Sequence, residues 1–304
     1  KNHFYLPLLL LFVAVGLSAS AQDSYLMPDK FQLHKGEKLN TRLLYGDEFK
    51  NDGEYKYDAS LTTKFMLFDG NKKIDLLTAV KDSAAPVLSY PLTNQGLSMV
   101  DMVRNFPPTA YDRDDYVKIL NEEGMTKLAE TVNNSNQSRF TEKKVSYMKT
   151  LVKVDKPNGG DFDKELGDDY EIVLKGNPYK MNYGGDISAV LYIKDKPAPA
   201  IPVDVFVTTS SGKIYPQKLT TNDKGEFSII ASREGFYLIR CSQTVASTGT
   251  EADFESVQAA MTFMFTSLND SPKSYDTPDA DSYHALTGAQ KAGGTRPRGQ
   301  KSHC

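Results

Sequence analysis

The chain has 304 residues, a formal net charge of -3, 39% hydrophobic and 11% aromatic residues. A length of this order predicts about two domains, and the composition supports ordinary hydrophobic cores and argues against a collagen-like, polytopic-membrane or wholly disordered chain. The near-neutral charge lacks the basic excess of proteins that follow a phosphate backbone, so we expect no nucleic-acid partner.

The first 21 residues have the features of an export signal. Lys1 is followed by a largely apolar run over residues 6–17 and by small residues at 19–21. This is the order of charge, hydrophobic stretch and A-x-A cleavage site in a secretory signal peptide, and the run is shorter than the roughly 20 residues that cross a bilayer. We therefore expect cleavage before Gln22, a periplasmic or extracellular location, and a mature chain that does not span the membrane.

Residues 22–155 are predicted to form an N-terminal β-sandwich-like domain, because short extended runs dominate them. Two pairs of apolar-rich runs are separated by turn sequences and predict β-hairpins. The pairs are 64–68 with 73–77 around Asp69-Gly70, and 87–92 with 97–103 around Asn94-Gln95-Gly96.

A helical insert is predicted near residues 112–132. Asp112 is suited to an N-cap position, and the acidic residues that follow it are favoured in a first helical turn. Tyr116, Ile119 and Leu120 fall on one face at helical spacing, Gly124 interrupts the pattern, and the spacing then resumes.

Residues 140–169 are expected to lead out of this domain. The apolar spacing over 140–154 fits a strand or a helix, and we favour a long strand. Residues 156–160 are rich in turn formers, and the acidic stretch 161–169 is typical of a solvated segment. We therefore place a linker at 156–169.

Residues 170–266 are predicted to form an immunoglobulin-like β-sandwich. About seven strands are expected in roughly 100 residues, which is the strand density of that fold. With an extended run at 213–220, the alternating apolar positions are Tyr170, Ile172 and Leu174; Ile187, Ala189, Leu191 and Ile193; Val203, Val205 and Val207; Phe227 and Ile229; Tyr237, Ile239 and Cys241; and Met261, Phe263 and Phe265.

The last segment, 267–304, is predicted to be a disordered tail. It is rich in Ser, Asp, Thr, Gly and Pro, and such a composition buries too little apolar surface to offset the entropy of ordering. The tail ends in Cys304, whereas Cys241 falls inside a predicted strand. An oxidising compartment would permit a disulfide between them, and the alternative that the pattern favours is one buried thiol and one thiol in the tail.

The sequence predicts no enzyme. Once the signal and tail are set aside, His34 is the only histidine, and it precedes a turn, where an exposed side chain is typical. Hydrolases of the Ser-His-Asp or Cys-His type need a histidine within a packed site, and no G-x-S-x-G, phosphate-binding glycine loop or H-E-x-x-H motif occurs.

Two acidic clusters and a set of tyrosines leave other functions open. Carboxylates at 112–115 and 161–169 are explained by helix capping and by a solvated linker, although paired carboxylates can also serve a glycosidase or bind calcium. The tyrosines favour either ordinary strand packing or a carbohydrate-binding platform. They are Tyr45, Tyr55, Tyr57, Tyr90 and Tyr111.

Several segments together resemble the domain of unknown function 4198 family, exported bacterial β proteins often labelled nickel-uptake-like. The start, residues 22–28 (QDSYLMP), resembles the family's opening His-Asp-x-Trp-Leu-x-Pro. Further matches follow in order: Gly36, Gly46 and Phe49; Tyr116 and 122–125 (EEGM); 139–140 (RF) and 149–152 (KTLV); 166–167 (LG) and 170–173 (YEIV); 177–179 (NPY); 185–186 (GD); 221–227 (TNDKGEF); 253–256 (DFES) and 260–263 (AMTF).

The resemblance implies an N-terminal β domain followed by an immunoglobulin-like, carboxypeptidase-regulatory-like β-sandwich. It further implies export to the periplasm and an association with metal uptake. The family's leading His and Trp correspond to Gln22 and Tyr25, which leaves Asp23 and His34 as the candidate ligands of a transition metal ion.

These features predict an exported, non-enzymatic binding or accessory protein linked to nickel, cobalt or other nutrient uptake. Its expected partner is a membrane transporter or an outer-membrane receptor. The alternative is a carbohydrate-binding or adhesive cell-surface module.

Overall fold

The computed structural model describes residues 23–267, which form a mainly β protein. The first half contains the strands β1 (Ser24–Pro28), β2 (Gln32–Leu33), β3 (Lys38–Tyr45), β4 (Gly53–Tyr55), β5 (Thr62–Asp69), β6 (Lys72–Asp75), β7 (Leu88–Pro91), β8 (Gly96–Asn105), β9 (Thr109–Asp112) and β10 (Arg139–Val154), with the helices α1 (Arg113–Glu122) and α2 (Thr126–Asn133). The second half contains β11 (Tyr170–Leu174), β12 (Asp186–Ile193), β13 (Lys196–Pro197), β14 (Pro202–Thr208), β15 (Ile214–Thr220), β16 (Glu226–Ile230), β17 (Gly235–Ala246) and β18 (Phe254–Phe265). The predicted export signal and residues 268–304 of the predicted tail lie outside the described residues.

The described strands form three sheets. A four-stranded sheet has the order β1-β3-β4 with β7 also on β3, and a second four-stranded sheet has the order β11-β12-β13 with β16 on β12. Between them, a ten-stranded sheet has the order β15-β14-β17-β18-β10-β8-β5-β6, with β2 and β9 both pairing with β10. The predicted fold class, two successive β-sandwich-like units with a helical insert, is confirmed.

The ten-stranded sheet is shared by the two halves of the chain. Two of its long strands, β10 and β18, run parallel over nine register pairs from Glu142↔Phe254 to Thr150↔Thr262. Residues of all three sheets also contribute to one continuous hydrophobic core. Both predicted domain ranges therefore contribute strands to one sheet, while the boundaries at 155 and 170 stay a prediction.

The first predicted hairpin is confirmed and the second is wrong. Strands β5 and β6 pair antiparallel across the Asp69-Gly70 turn. The strands β7 and β8 exist, but β7 pairs with β3 and β8 with β5 and β10. The connection between them is held by the buried carboxylate of Asp69, which accepts hydrogen bonds from Thr93 N at 2.9 Å, Thr93 Oγ1 at 2.8 Å and Asn94 N at 3.2 Å. These bonds fix a crossover between sheets where the turn residues alone predict a hairpin.

Replacing Asp69 by Ala is expected to lower the free energy of unfolding by about 2 kcal/mol. The substitution removes a fully buried carboxylate that accepts from the backbone N–H groups of Thr93 and Asn94, and hydrogen bonds to a charged group contribute about 1.5–3 kcal/mol. Urea unfolding followed by circular dichroism measures the change. A control is Asp163→Ala on the exposed surface, which is expected to change stability by no more than about 0.5 kcal/mol. Equal losses in the two variants would contradict the assignment.

The helical insert is confirmed in position. Asp112 occupies the N-cap of α1, but its side chain makes no capping hydrogen bond; instead, Arg113 N donates to Ser138 O at 2.9 Å. The two helices pack over a small core of aromatic residues on β9, β10 and β18, namely Tyr111, Phe140 and Phe254. Within residues 23–267, neither helix has the length and apolar character needed to cross a bilayer.

The expected long strand at 140–154 is confirmed as β10, but the acidic stretch after it is not uniformly solvated. The Asp168 side chain is buried, and its Oδ1 accepts from Lys64 Nζ at 2.6 Å. The same Lys64 Nζ lies 2.7 Å from Oδ2 of the fully buried Asp101. Burial and the neighbouring Asp168 raise the pKa of Asp101 to about 6. This end of the predicted linker is therefore tied to β5 and β8 by buried charges.

A second buried ion pair lies beside it. Lys149 on β10 pairs with Glu171 on β11, and both side chains are at most 5% exposed. The Glu171 carboxylate also accepts from the backbone N–H groups of Leu166 at 2.7 Å and Gly167 at 3.2 Å. One carboxylate thus holds the linker and the central sheet together.

Cys241 is fully buried on β17, and its thiol is free among the described residues. Burial raises the pKa of this thiol well above its ordinary value. Cys304 lies outside the described residues, so the choice between a buried thiol and a disulfide stays a prediction.

Candidate ligand-binding cleft

A cleft of about 510 Å³ opens on the face of the ten-stranded sheet that points away from the second sandwich core. Its floor is formed by β14, β15 and β17, one wall by the 3₁₀ turn Asp47–Phe49, and its cover by the end of α1. Binding sites for small molecules usually enclose about 300–1,000 Å³. The cleft therefore has a suitable size for a small ligand.

The floor follows from strand alternation. Val203, Val205 and Val207 of β14 are buried in the core, so the intervening residues Asp204 and Phe206 point to the opposite face. The strand register then places Lys218 of β15 beside Asp204, and Asp204 beside Arg240 of β17. The result is a row of alternating charge across three adjacent strands.

Arg240 is the centre of this row. Its Nη1 donates to Asp23 Oδ1 at 2.6 Å, and its Nη2 donates to Asp204 Oδ2. Lys218 Nζ lies 3.4 Å from the other oxygen of Asp204. The Nε of Arg240 is buried and makes no hydrogen bond to any described residue.

Burial and ion pairing act against each other in this network. Burial raises the pKa of the Asp23 carboxyl, and the nearby Arg240 and Lys144 partly oppose that rise. Burial alone would lower the pKa of Arg240, but Asp23 and Asp204 raise it above its ordinary value. Arg240 therefore stays positively charged and supplies the counter-charge for the buried Asp23 carboxylate.

The wall formed by Asp47–Phe49 has an unusual backbone. Glu48 and Phe49 have φ angles of 52° and 65°, in the left-handed region that non-glycine residues rarely occupy. Gly46 before them admits no side chain, since a Cβ there would lie 1.9 Å from Lys50 O. The turn is held because the Phe49 ring packs edge-on against Tyr25, with ring centroids 5.2 Å apart. Strain of this kind costs of order 1–3 kcal/mol per residue and is concentrated at functional sites.

The cover carries a carboxyl group whose pKa lies near neutrality. Glu123 follows α1, and burial raises its pKa to about 7 against the opposing effects of Lys144 and Arg240. Its side chain is half-buried and lines the cleft. Within residues 23–267 it forms no hydrogen bond or ion pair with another side chain.

Apolar side chains complete the cleft. Ile119 precedes Glu123 by one helical turn, and Phe206 and Pro216 face each other across β14 and β15. The guanidinium carbon of Arg240 lies 5.9 Å from the centroid of the Phe206 ring. The cleft thus combines an apolar lining with fixed charges of both signs, the usual composition of a small-molecule site.

The two predicted metal ligands lie in separate places. Asp23 lies under the cleft in its ion pair with Arg240, whereas His34 is 85% exposed and its Nδ1 lies 2.9 Å from Asp155 Oδ1. In the part of the chain that the structure describes, no three His, Cys, Asp or Glu side chains are grouped as a metal site. The structure does not bring Asp23 and His34 together, and the metal site stays a prediction.

The predicted acidic clusters do not meet. Asp114 and Asp115 are exposed at the start of α1, while Asp168 is engaged by Lys64 elsewhere. Of the five singled-out tyrosines, Tyr57 and Tyr111 are buried in packed cores. Tyr45 and Tyr55 form a half-buried pair with ring centroids 4.5 Å apart.

The cleft residues were missed because sequence patterns show which side chains point away from a core but not which strands become neighbours. The charges at 204 and 240 alternate with apolar positions and could have been assigned to an outer face. The pairing of Arg240 with Asp23 joins residues 217 positions apart.

The chain matches one protein family and is similar to several solved structures. A model of the family described as "Domain of unknown function (DUF4198)" matches residues 19–245. No curated protein is detectably similar in sequence. The chain is similar to a tetra-tandem repeat in the extending region of a large adhesion protein, with 14% identity, a TM-score of 0.20, and coverage of 79% of this chain and 49% of that one. It is also similar to the D0-D1 domain of Intimin, with 10% identity, a TM-score of 0.21, and coverage of 80% and 98%. The chain thus spans about half the length of the adhesion-protein structure.

Proposed function

The chain belongs to the DUF4198 family, and from that premise we propose that it is an exported, non-enzymatic binding protein whose ligand occupies the cleft above Arg240. The observation that carries the proposal is the cleft itself, where five segments distant in sequence enclose a lined volume around a paired arginine. Export is supported by the signal-like pattern of residues 1–21.

Binding is better supported than catalysis by the chemistry of the lining. The described lining residues include no Ser, Cys, Thr, Tyr or His that could act as a nucleophile or imidazole base. Two lining carboxylates are already paired, since Asp204 accepts from Arg240 and Glu48 from Lys50. The described part of the lining therefore lacks the hydroxyl or thiol nucleophile and the imidazole base of covalent hydrolases.

An organic ligand is better supported than a directly bound metal ion. A cation that took Asp23 as a ligand would have to displace Arg240, and removing one partner of a buried pair is costly. A role in nutrient uptake, with a membrane transporter or outer-membrane receptor as partner, is part of the proposal and is supported by the export pattern.

The test is a ligand-observed NMR screen in which the cleft is blocked. The panel contains amines, carboxylates, amino acids and sugars, and the chlorides of nickel, cobalt and zinc are tested on the same proteins by isothermal titration. Ile119→Trp adds bulk to the cleft lining, and Ile230→Trp makes the same change at a side chain that is 56% exposed. We expect at least one compound to bind the unaltered protein and Ile230→Trp but to lose binding in Ile119→Trp.

Circular dichroism and the thermal midpoint verify that both variants are folded. If every compound that binds the unaltered protein binds Ile119→Trp equally well, the site lies elsewhere and the proposal is wrong. If no compound of the panel binds, the proposal also fails for the ligand classes tested.

A carbohydrate-binding surface is the second candidate, and an aromatic cluster favours it. Tyr45, Tyr55 and Phe106 are half-buried neighbours, with Tyr55 and Phe106 centroids 5.6 Å apart. The Arg104 guanidinium lies over both of these rings, at 5.1 and 5.4 Å from their centroids. A glycan array with the unaltered protein and Tyr55→Ser tests this candidate, which predicts hits that the substitution removes; an array without hits would reject it.

A further inference from the structure

The charges around the cleft have a net negative sign. Five lining residues are acidic and three are basic; the acidic ones are Asp47, Glu48, Glu122, Glu123 and Asp204, and the basic ones are Lys50, Lys218 and Arg240. Close to the lining, the Asp23 carboxylate and the Lys144 ammonium add one charge of each sign. All three basic residues are engaged by carboxylates of the same region. The cleft therefore offers an excess of negative charge to an incoming ligand.

Among the lining carboxylates, Glu123 is the best placed to form an ion pair with a cationic ligand. Lys118 lies 3.8 Å from Glu122, whereas Glu123 has no ion-pair partner among residues 23–267. Lys144 and Arg240 attract this half-buried carboxylate without forming an ion pair with it, and their attraction does not outweigh the hydration that it loses on burial. A cationic group that entered the cleft would supply the missing partner.

The apolar lining lies next to this carboxylate. Ile119 lies one helical turn before Glu123 and on the same side of the helix. Phe206 and Pro216 form apolar surface on the floor. A ligand that satisfies both features carries its positive charge at the end of an aliphatic chain.

We propose that the cleft binds a primary ammonium group on an aliphatic stem, with Glu123 as its counter-ion and Ile119, Phe206 and Pro216 around the stem. This inference rests on the proposed function and names the ligand class of the same site. The ammonium group is the end of either a free alkylamine or a lysine side chain.

The proposal has a defined pH dependence. Glu123 faces Arg240 of β17, Lys144 and Glu142 of β10, and Asp23 before β1, and its pKa in the free protein is about 7. A bound ammonium favours the ionised carboxylate and lowers that pKa. Binding therefore releases a proton below pH 7, so affinity is expected to increase from pH 5 to about 7 and to level off above it.

Isothermal titration of the purified protein with 1,5-diaminopentane at pH 8 tests the ligand class. Pentan-1-ol and pentanoate are controls of similar length that are neutral and anionic, and Nα-acetyl-lysine methylamide represents a lysine within a polypeptide. We expect the diamine to bind and both controls to remain silent. Binding of the lysine derivative at comparable affinity would assign the site to lysine side chains, and binding of the diamine alone would assign it to free amines.

Two glutamate variants test the assigned counter-ion. Glu123→Gln is expected to weaken diamine binding by at least about tenfold, because charge-assisted hydrogen bonds contribute about 1.5–3 kcal/mol, and to abolish the pH dependence. Glu130→Gln, an exposed position on α2, is expected to leave both unchanged.

Equal binding of pentanoate, no binding of either amine, or an unaltered affinity in folded Glu123→Gln would overturn the inference. The proposed function would survive that result if another panel compound lost binding in Ile119→Trp. Failure of both experiments would reject the cleft as a site.

Discussion

Replacing Glu171 by Leu is expected to lower the free energy of unfolding by about 3–5 kcal/mol, the cost of removing one partner from a buried ion pair. The substitution removes the ion-pair partner of the Lys149 ammonium, which is 5% exposed; the Ile172 carbonyl, at 3.4 Å, and the charge of the nearby Asp101 carboxylate remain. It also removes the acceptor of the Leu166 and Gly167 backbone N–H groups. Urea unfolding monitored by circular dichroism measures the loss.

A matched control separates burial from residue type. Glu130→Leu replaces an exposed glutamate on α2 and is expected to change stability by no more than about 0.5 kcal/mol. The double variant Lys149→Met with Glu171→Leu is expected to be more stable than Glu171→Leu alone, because no unpaired charge remains buried. A loss below about 1 kcal/mol for Glu171→Leu, or additive losses in the double variant, would contradict the role assigned to this pair.

Replacing Arg240 by Leu is expected to cost a similar amount, about 3–5 kcal/mol at pH 7. Asp23 is 1% exposed and would lose the guanidinium that pairs with it, and Asp204 would retain only Lys218. Arg139→Leu is the control, since that side chain is 69% exposed and lies 4.0 Å from its nearest carboxylate. Similar losses in the two variants would show that the network does not stabilise the fold.

The Arg240→Leu deficit is also expected to depend on pH. Burial raises the pKa of Asp23, and Arg240 is the strongest influence that lowers it, ahead of Lys144; the nearby Asp47 acts in the opposite direction. Without Arg240 the pKa rises further, so the folded variant binds a proton more tightly than the unfolded chain, whose Asp titrates near 4. The stability of Arg240→Leu relative to the unaltered protein therefore falls as pH rises through the pKa of Asp23 in the folded variant. The stability deficit of the variant shrinks on acidification. A deficit that grows on acidification would contradict this assignment.

Local patterns in the sequence predicted the strands well. The alternation at Val203, Val205 and Val207 places β14, and Asp69-Gly70 places the β5–β6 turn, because both depend on neighbouring residues. The Asn94-Gln95-Gly96 turn sequence failed as a hairpin signal because the Asp69 carboxylate, 25 residues earlier, accepts a hydrogen bond from the backbone of this connection. Turn chemistry determines where a chain bends but not which sheet the next strand joins.

The candidate site could be predicted only in part. Asp23 was singled out as a metal ligand and lies beneath the cleft, although its partner is Arg240. Glu123 was part of a family-like segment, but its position over β17 depends on how α1 packs, which no local pattern encodes. The acidic stretch before Glu171 was interpreted as solvated because charge runs usually are, but Asp168 within it is buried and pairs with Lys64, 104 residues earlier in the chain.

The most direct test of the cleft as the ligand site is an NMR titration of protein with ¹³C-labelled isoleucine methyl groups, using 1,5-diaminopentane. The Ile119 methyl lines the cleft, whereas Ile230 is exposed on β16 outside the cleft lining. Binding in the cleft predicts a saturable shift of the Ile119 resonance and an unchanged Ile230 resonance. No shift of Ile119, or equal shifts of the two, would contradict it.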